Sequence, residues 1–580
     1  MQKKGDHLLV AAIDFGTTYS GYAFSMRHEF ITDPLKIHAN QAWNSGGRAL
    51  LSLKTPTCLL LNDKKELDSF GYEAENKYAD ILMDDEQNNY YYFQRFKMNL
   101  HNNTKIKSHM LLEDISGKSV PAIDVFGLSI KALVTHLTDL LDKQGTGMDN
   151  SEIQWVLTVP AIWTDAAKQL MRKSAVRAGI PEDRLKIALE PESASIFCQY
   201  LPTNKLHGAD EGFKMTEPGS KYMVVDLGGG TADITVHEKL SNGQLKELCR
   251  AAGNDCGGTS VDGQFFQMLV KIFGGPIMKK IKDKDPSAYL DLFREFETVK
   301  RTITPDKDSK VNITIPFVSL DAQCNNFQGK NLVDVVESSP YRNLITVRGD
   351  KMRVDANLMR SLFKPTIDSI ISLMKEILRN KSASAVSQLL LVGGFSECML
   401  IQDAVKRNFK GKRVIIPEEA GLSVLKGAVL FGHRPEYVRS RVMRFSYGVQ
   451  TRHIFDPNIH DKKYLAENES NPQMCRQIFG KIVEKNQEVS LGHLFTSSHS
   501  TIFPMQKAMT FPIYVSTDTM PMYTDERSCT YLGSATIKFP IPIEAKRHVN
   551  TEYTFGNTEI GMTAVDKNTG TKMTASFDLI

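Results

Sequence analysis

The sequence has no surplus of charge of either sign. Its 580 residues include 71 lysines and arginines and 67 aspartates and glutamates, which leaves a formal net charge of +4 at pH 7. Proteins that bind nucleic acid through its phosphates carry a strong basic surplus. The composition therefore argues against a dedicated nucleic-acid-binding protein.

Cysteines are few, and no two of them form a C-x-x-C motif. The eight are Cys58, Cys198, Cys249, Cys256, Cys324, Cys398, Cys475 and Cys529. This scatter disfavours both a zinc ribbon and a disulfide scaffold, because each requires cysteines at short, regular spacing. A reducing compartment fits the pattern best.

Long apolar runs are missing too. No stretch of about 18 apolar residues free of charges occurs, so we expect no membrane span. The apolar run 8–13 is shorter than the core of a secretion signal, and Asp14 ends it. We predict a cytoplasmic protein, with the nucleus as a second possible location.

One strand-turn-strand pattern is present twice. LLVAAIDFGTTYSGYAF and KYMVVDLGGGTADITVHEK share an apolar strand, an aspartate, a turn of glycine and threonine, and a second strand. Elements of helical and strand periodicity follow each copy. Such a duplication predicts an α/β fold with two similar lobes and a binding site between them.

Periodicity also predicts individual elements and domain limits. Helices are expected over residues 125–141, from 164 or 165 to about 178, over 355–379, and from 418 onward, with a polar loop at 201–220. We place lobe I at about 8–220 and 395–432, lobe II at about 221–394, and a linker at 433–446. Short alternating runs predict a β-rich domain over 447–580.

The glycine turns are suited to binding phosphate. Three glycines in the second copy remove every Cβ from the turn, so that backbone amides can approach an anion closely. Asp14 and Asp226 end the first strand of each copy, where a carboxylate can hold Mg²⁺ through water. A third Gly-Gly turn, LVGGFS, lies between a predicted strand and a predicted helix.

The ordered set of motifs resembles the nucleotide-binding domain of the seventy-kilodalton heat-shock proteins, within the actin, hexokinase and heat-shock ATPase superfamily. The resemblance covers residues 8–432 through IDFGTTYS, TVPAIWTDAAKQ, IALEPESASIF, VVDLGGGTAD, ETVKRTIT and LLLVGGFSE. The sequence around FKM, GGF and LKGAVLFG is most similar to the divergent heat shock 70 kDa protein 12 branch. The resemblance implies a two-lobed actin-like ATPase domain with duplicated phosphate-binding hairpins, followed by a small β-rich domain.

The resemblance also implies roles for individual residues, with ATP or ADP and Mg²⁺ as cofactors. Asp14 and Asp226 would face Mg²⁺ through water, and Lys97, Glu190 and Thr231 would be catalytic. The phosphates would contact Gly16, Thr17, Thr18, Tyr19, Gly228, Gly229, Gly230 and Thr231. The nucleoside would contact Glu297, Lys300, Arg301, Gly393, Gly394 and Phe395. From residue type alone, Lys97 and the charged helix around Lys300 would ordinarily be solvated surface.

Several features depart from the family pattern. After the third turn, Phe395 and Glu397 stand where the main chaperones have a serine and an arginine that packs on adenine, which puts adenine affinity in doubt. The acidic, leucine-rich linker is replaced by EYVRSRVMRFS, and no helical lid is expected before Ile580. We interpret Arg439, Arg441 and Arg444 as a solvated face, with an acidic partner surface as the alternative.

Two hypotheses for function follow. The first is an ATP-binding, chaperone-like protein with slow Mg²⁺-dependent hydrolysis, whose further partners would be unfolded peptides or client proteins and co-chaperone-like regulators. The second is a nucleotide-regulated adaptor with little or no turnover, suggested by the altered turn, linker and lid. A sugar kinase is poorly supported, because the β-rich tail and the ETVKR helix fit the heat-shock pattern.

Overall fold

The structure is a computed structural model, which describes residues 7–40, 43, 53–103, 105–209, 217–466, 473–539, 541, 543–555 and 559–580. Residues 1–6, and residues 210–216 of the predicted loop, lie outside the described residues. Among the helices in these ranges, none combines the length and the apolar character needed to cross a bilayer.

The first part of the chain forms a mixed sheet with helices. Its strands are β1 (Leu9–Phe15), β2 (Tyr19–Met26), β3 (His38–Ala39), β4 (Thr55–Pro56), β5 (Cys58–Leu61), β6 (Leu67–Phe70), β7 (Tyr91–Gln94), β8 (Leu111–Glu113), β9 (Ser119–Pro121), β10 (Ile153–Val159), β11 (Leu185–Leu189) and β12 (Leu206–His207). Its helices are α1 (Arg27–Thr32), α2 (Tyr72–Met83), α3 (Ala122–Lys143), α4 (Asp165–Arg177) and α5 (Glu190–Tyr200).

In the described residues, the first sheet has the order β11-β10-β1-β2-β3, with β4 also paired to β2. Strand β1 is antiparallel to β2 and parallel to β10, and all seven of its residues are buried. A continuous apolar run is what a strand buried on both faces requires. Helices α3 and α4 confirm the predicted helices, and the Thr164 hydroxyl caps α4 by accepting from the Ala167 amide.

The second part repeats this plan. Its strands are β13 (Lys221–Leu227), β14 (Ala232–Lys239), β15 (Leu245–Asn254), β16 (Val311–Thr314), β17 (Ile345–Arg348), β18 (Lys351–Val354), β19 (Gln388–Val392) and β20 (Arg413–Pro417). Its helices are α6 (Gly258–Phe273), α7 (Gly275–Lys284), α8 (Pro286–Lys300), α9 (Phe317–Gln328), α10 (Leu332–Ser338), α11 (Ala356–Leu378), α12 (Met399–Asn408) and α13 (Ser423–His433).

Five strands of the second sheet have the order β20-β19-β13-β14-β15, which matches β11-β10-β1-β2-β3 of the first sheet. Strand β20 pairs in parallel with β19, so it belongs to the second sheet. The predicted return to lobe I at residue 395 is therefore wrong, because β20 takes the place in the second repeat that β11 takes in the first. The chain returns to the first sheet only with α13, which packs on β1 and β10.

Helix α13 begins at Ser423 and not at Glu418 as predicted. The residues before it form a 3₁₀ turn, Ala420–Leu422, whose backbone bonds to the third glycine turn. The Gly393 amide donates to the Ala420 carbonyl, and the Gly421 amide donates to the Glu397 carboxylate. Because these backbone groups are held by tertiary partners, the segment does not join the helix.

The third part of the chain is almost entirely β-structure. Its strands are β21 (Val438–Val442), β22 (Ser446–Ile454), β23 (Met474–Val483), β24 (Glu488–Ser490), β25 (Leu494–Ser500), β26 (Ala508–Ser516), β27 (Cys529–Lys538), β28 (His548–Thr554), β29 (Gly561–Asp566) and β30 (Lys572–Ser576). In the described residues, eight of these strands form two antiparallel sheets with the orders β23-β22-β26-β27 and β25-β28-β29-β30.

The segment 433–446, predicted to be a linker, is not free chain. Its strand β21 joins the second sheet, parallel to β15 and antiparallel to β24. The two C-terminal sheets in turn pack on α4. The Tyr447 hydroxyl donates to Asp165 at 2.7 Å, and the Gln169 side chain exchanges hydrogen bonds with Phe577 and Leu579.

Candidate functional site

The two predicted glycine turns lie directly against each other. An ideal Cβ added to Gly229 would lie 2.2 Å from the Thr18 hydroxyl oxygen, and one added to Gly230 would lie 2.6 Å from that of Thr17. Real Cβ atoms essentially never come within 3.0 Å of such neighbours. A side chain at either position would force these neighbours to shift, so glycine allows the hairpins of the two sheets to meet there.

The second turn is held from behind by the start of α6. The amides of Gly257, Gly258 and Thr259 donate to the carbonyls of Gly230, Gly228 and Gly229, respectively, at 2.8 to 3.2 Å. In the part of the chain that the structure describes, the amides of Gly229 and Gly230 donate to no backbone carbonyl. The turn thus directs its carbonyls toward α6 and leaves these amides for another acceptor.

Buried carboxylates and two lysines lie where the hairpins meet. The Lys97 ammonium lies 2.7 Å from Glu190, and both residues are buried. The Lys54 ammonium lies 2.6 Å from one oxygen of Asp14, and the Thr158 hydroxyl donates to the other at 2.8 Å. Lys97 is thus not a solvated surface lysine.

The pKa values of the carboxylates reflect this crowding. Burial alone would raise the pKa of Asp14, but the charges of Lys54 and Lys97 and the hydrogen bonds from Lys54 and Thr158 together hold that pKa below its usual value. Burial, with the charges of Glu190 and Asp233, raises the pKa of Asp226 well above its usual value. Burial likewise raises the pKa of Glu190, and raises that of Asp233 to about 7. Asp14 is therefore the carboxylate whose ionised form the site favours most.

The three predicted catalytic residues come from separate elements. Lys97 lies in the 3₁₀ turn Phe96–Leu100, with its ammonium 5.2 Å from the centre of the Trp163 ring. Glu190 is the first residue of α5, and Thr231 closes the β13–β14 turn by accepting from the Gly228 amide. The fold brings all three to the meeting point of the hairpins, although they are far apart in the chain.

The charged end of α8 reaches across to the first hairpin. The Arg301 guanidinium lies 5.3 Å from the centre of the Tyr19 ring and pairs with Glu297 at 2.6 Å. The Lys300 ammonium is buried and pairs with Asp262 at 2.6 Å and with Glu297 at 2.5 Å. Lys300 is thus bonded within the second repeat, whereas Arg301 lies against Tyr19 of the first hairpin.

The third turn begins at Gly393, whose φ of +84° favours glycine. Its Cβ would lie 2.3 Å from an oxygen of Asp226, so this turn packs on the predicted metal ligand. Phe395 is half-buried and packs against two hydrophobic clusters and Gly258, while Gly394 and Glu397 are exposed. Phe395 is therefore partly a core residue.

Sequence reasoning missed Lys54 and Asp262. Lys54 belongs to none of the recognised motifs, although it directly precedes the Thr55–Pro56 strand that pairs beside the first hairpin. Asp262 lies on α6 and pairs with both Lys300 and Arg95, each at 2.6 Å. The available signal for Asp262 was an aspartate at a buried position of a helix, because a buried carboxylate requires a partner.

The predicted solvated face of arginines is wrong for Arg441. Its guanidinium is buried and donates twice to Glu192, at 2.7 and 2.6 Å, so β21 is joined to α5 two residues beyond Glu190. Arg444 donates to the Ile162 carbonyl, and only Arg439 is exposed as predicted. A charge that is neutralised by a buried partner can be buried itself, which the local sequence does not reveal.

The same strand end contacts a second buried carboxylate. The Val442 amide donates to Glu247 of β15 at 2.7 Å. Burial raises the pKa of Glu247 to about 8. Strand β21 therefore contacts both α5, through Arg441, and the second sheet, through Val442.

Comparison with known proteins identifies the family. The Hsp70 protein family model matches residues 130–500. The chain belongs to the Hsp70 family. It is 36% identical to mouse (Mus musculus) heat shock 70 kDa protein 12A over 629 residues, which cover 99% of this chain and 92% of that protein. It is 35% identical to human (Homo sapiens) protein 12A and 33% identical to human protein 12B, over 99% of this chain and 92% and 91% of those proteins.

The predicted resemblance to the Hsp70 family and to its protein 12 branch is thus confirmed. Hsp70 ATPases generally bind nucleotide with Mg²⁺, so membership supports an ATP-binding heat-shock protein of mixed α/β fold. In the described residues, no group of three or more histidine, cysteine, aspartate or glutamate side chains is arranged to hold a metal ion directly. The individual residue roles stay predictions.

Proposed function

We propose that the chain binds ATP or ADP together with Mg²⁺ between its two sheets and hydrolyses ATP slowly, as part of a chaperone-like activity. The observation that carries the proposal is the contact between the two glycine turns beside the buried Lys97–Glu190 pair. Phosphoryl transfer requires mainly positioning and charge stabilisation, and this arrangement supplies both.

The residues present fit a nucleotide and a hard cation. The Gly229 and Gly230 amides are suited to phosphate oxygens, because their own carbonyls are bonded to the start of α6. Asp14 and Asp226 would hold Mg²⁺ through water, since carboxylate oxygens are the ligands that this ion prefers. The bound ion would neutralise charge on the phosphates.

The catalytic roles follow from placement. The Lys97 ammonium would stabilise charge that develops on the transferred phosphoryl group. Glu190, with its raised pKa, would orient the attacking water and accept its proton, and the Thr231 hydroxyl would assist. Because Lys97 and Glu190 pair with each other, each keeps the other in place in a buried site.

The nucleoside would lie between α8 and the third turn. Arg301, Glu297 and Phe395 are the residues that would contact it, while Lys300 would hold Glu297 in position through their ion pair. Gly393 and Gly394 would allow close approach of the backbone.

The C-terminal sheets resemble a substrate-binding β-sandwich, and we assign to them the binding of unfolded peptide segments. In support, β29 and β30 form a hairpin whose turn includes Gly570 in the left-handed region, with φ of +68°.

All eight cysteines are free thiols, which fits a cytoplasmic location with the nucleus as a second possibility.

Calorimetry with ATP and ADP, followed by single-turnover phosphate release, tests the proposal. Thr231→Val should slow phosphate release by about a hundredfold with little loss of binding, because it removes one donor at the reacting end. Thr135→Val, at an exposed position of α3, is the matched control. Absence of nucleotide binding would contradict the proposal, and binding without any phosphate release would leave the adaptor hypothesis.

A further inference from the structure

Lys54 occupies a place in the site that no motif assigns. Its side chain is only 17% exposed, and its ammonium lies 2.6 Å from Asp14 and 2.7 Å from the Gly421 carbonyl. Gly421 is in turn bonded to Glu397, next to the third glycine turn. Lys54 therefore joins the first hairpin to the segment that packs on the second sheet, across the cleft.

Strand register explains how the lysine reaches Asp14. In the β1–β2 pair, Asp14 lies opposite Gly21. A Cβ on Gly21 would lie 3.0 Å from Lys54 Cγ and 3.3 Å from the Leu53 carbonyl oxygen. Because Gly21 has no side chain, the aliphatic part of Lys54 passes over β2 and its ammonium arrives at the carboxylate on the neighbouring strand.

The result is a protein cation at the carboxylate predicted to face Mg²⁺. One oxygen of Asp14 accepts from Lys54, and the other accepts from Thr158. The charge that a metal ion would otherwise have to balance at Asp14 is thus already balanced by the chain itself. An ammonium at this position is also attractive to phosphate oxygens, which are bound by lysine as a point charge.

We propose that Lys54 is a resident cation of the nucleotide site, which balances Asp14 and attracts the nucleotide phosphates when Mg²⁺ is absent. Nucleotide binding therefore persists without the metal. The proposal rests on the proposed nucleotide function and adds to it a residue that determines metal dependence.

Calorimetric titration of the full chain with ADP, in Mg²⁺ and in EDTA, tests the role of Lys54. The measured quantity is the ratio of the dissociation constant in EDTA to that in Mg²⁺. We expect a ratio below about tenfold for the wild type, and a ratio at least about tenfold larger for Lys54→Met, since a charge-assisted hydrogen bond is worth about one to two powers of ten. Lys77→Met, which removes a lysine paired with Asp68 outside the site, should match the wild type.

Each outcome decides between the proposals. A wild-type ratio above about tenfold, or a smaller change in Lys54→Met, would overturn the assignment of Lys54. If Lys54→Met fails to fold, Lys54→Gln takes its place, because it keeps a polar side chain without the charge; a ratio unchanged from the wild type there would also overturn the assignment. Absence of ADP binding in both conditions would instead contradict the proposed function itself.

Discussion

The buried ion pair between Arg441 and Glu192 offers a direct test of how β21 is held. The two side chains are 8% and 4% exposed and share two hydrogen bonds, at 2.7 and 2.6 Å. Arg441→Met would leave the Glu192 carboxylate buried without its cation, which costs about 3 to 5 kcal/mol. We expect this change to lower the free energy needed to open β21, because Arg441 holds the strand to α5.

Hydrogen exchange of the β21 amides measures this opening. A loss of about 3 kcal/mol corresponds to exchange that is roughly a hundredfold faster. Arg439→Met is the matched control, because Arg439 is exposed on the same strand, and its exchange should equal that of the wild type.

A double variant separates charge from packing. Arg441→Met combined with Glu192→Leu removes both charges, and the pair of apolar residues should restore most of the protection, because no charge is left buried alone. Unchanged exchange in Arg441→Met would refute the reasoning. So would a double variant whose exchange is as fast as the product of both single effects.

Three further predictions concern packing, pH and the base. Gly427→Ala should destabilise the protein by several degrees in thermal unfolding, because its Cβ would lie 1.7 Å from the Ser193 carbonyl oxygen where α13 crosses α5; Gly263→Ala, with nothing within 4 Å, should be neutral or stabilising. Because the pKa of Glu247 is raised to about 8, the folded protein holds a proton that the unfolded chain releases above about pH 4.3, so stability falls as pH rises between these values. Glu247→Gln should therefore raise the melting temperature more at pH 8 than at pH 5, and an equal effect at both would contradict this. ATP and GTP affinities should differ by less than about tenfold in competition binding, because Glu397 bonds to a backbone amide and offers no guanidinium to the base.

The repeated strand-turn-strand pattern was readable because it is local. Apolar runs, an aspartate and glycines within about twenty residues predict a strand, a turn and a second strand without knowledge of the rest of the chain. The sheet orders of the two repeats agree with that reading. The predicted division at residue 394 failed because β20 looks like any short buried strand. Its own residues do not show that it pairs with β19 of the second sheet.

The residues of the candidate site likewise divide into those that a local motif reveals and those that it does not. Lys97, Glu190 and Thr231 were accessible through motifs, since each stands in a short recognisable segment. Lys54 and Arg441 were not, because their roles depend on partners far along the chain, Asp14 and Glu192.

The family, the repeated hairpins and several of the helices could be predicted from the residues alone, because periodicity, capping and turn chemistry act over a few neighbouring residues. Which charges are buried, and with which partners, is visible only in the folded chain. The free energy of a buried charge depends on an opposite charge within a few ångströms, and nothing in the local sequence around Lys54 or Arg441 specifies that neighbour.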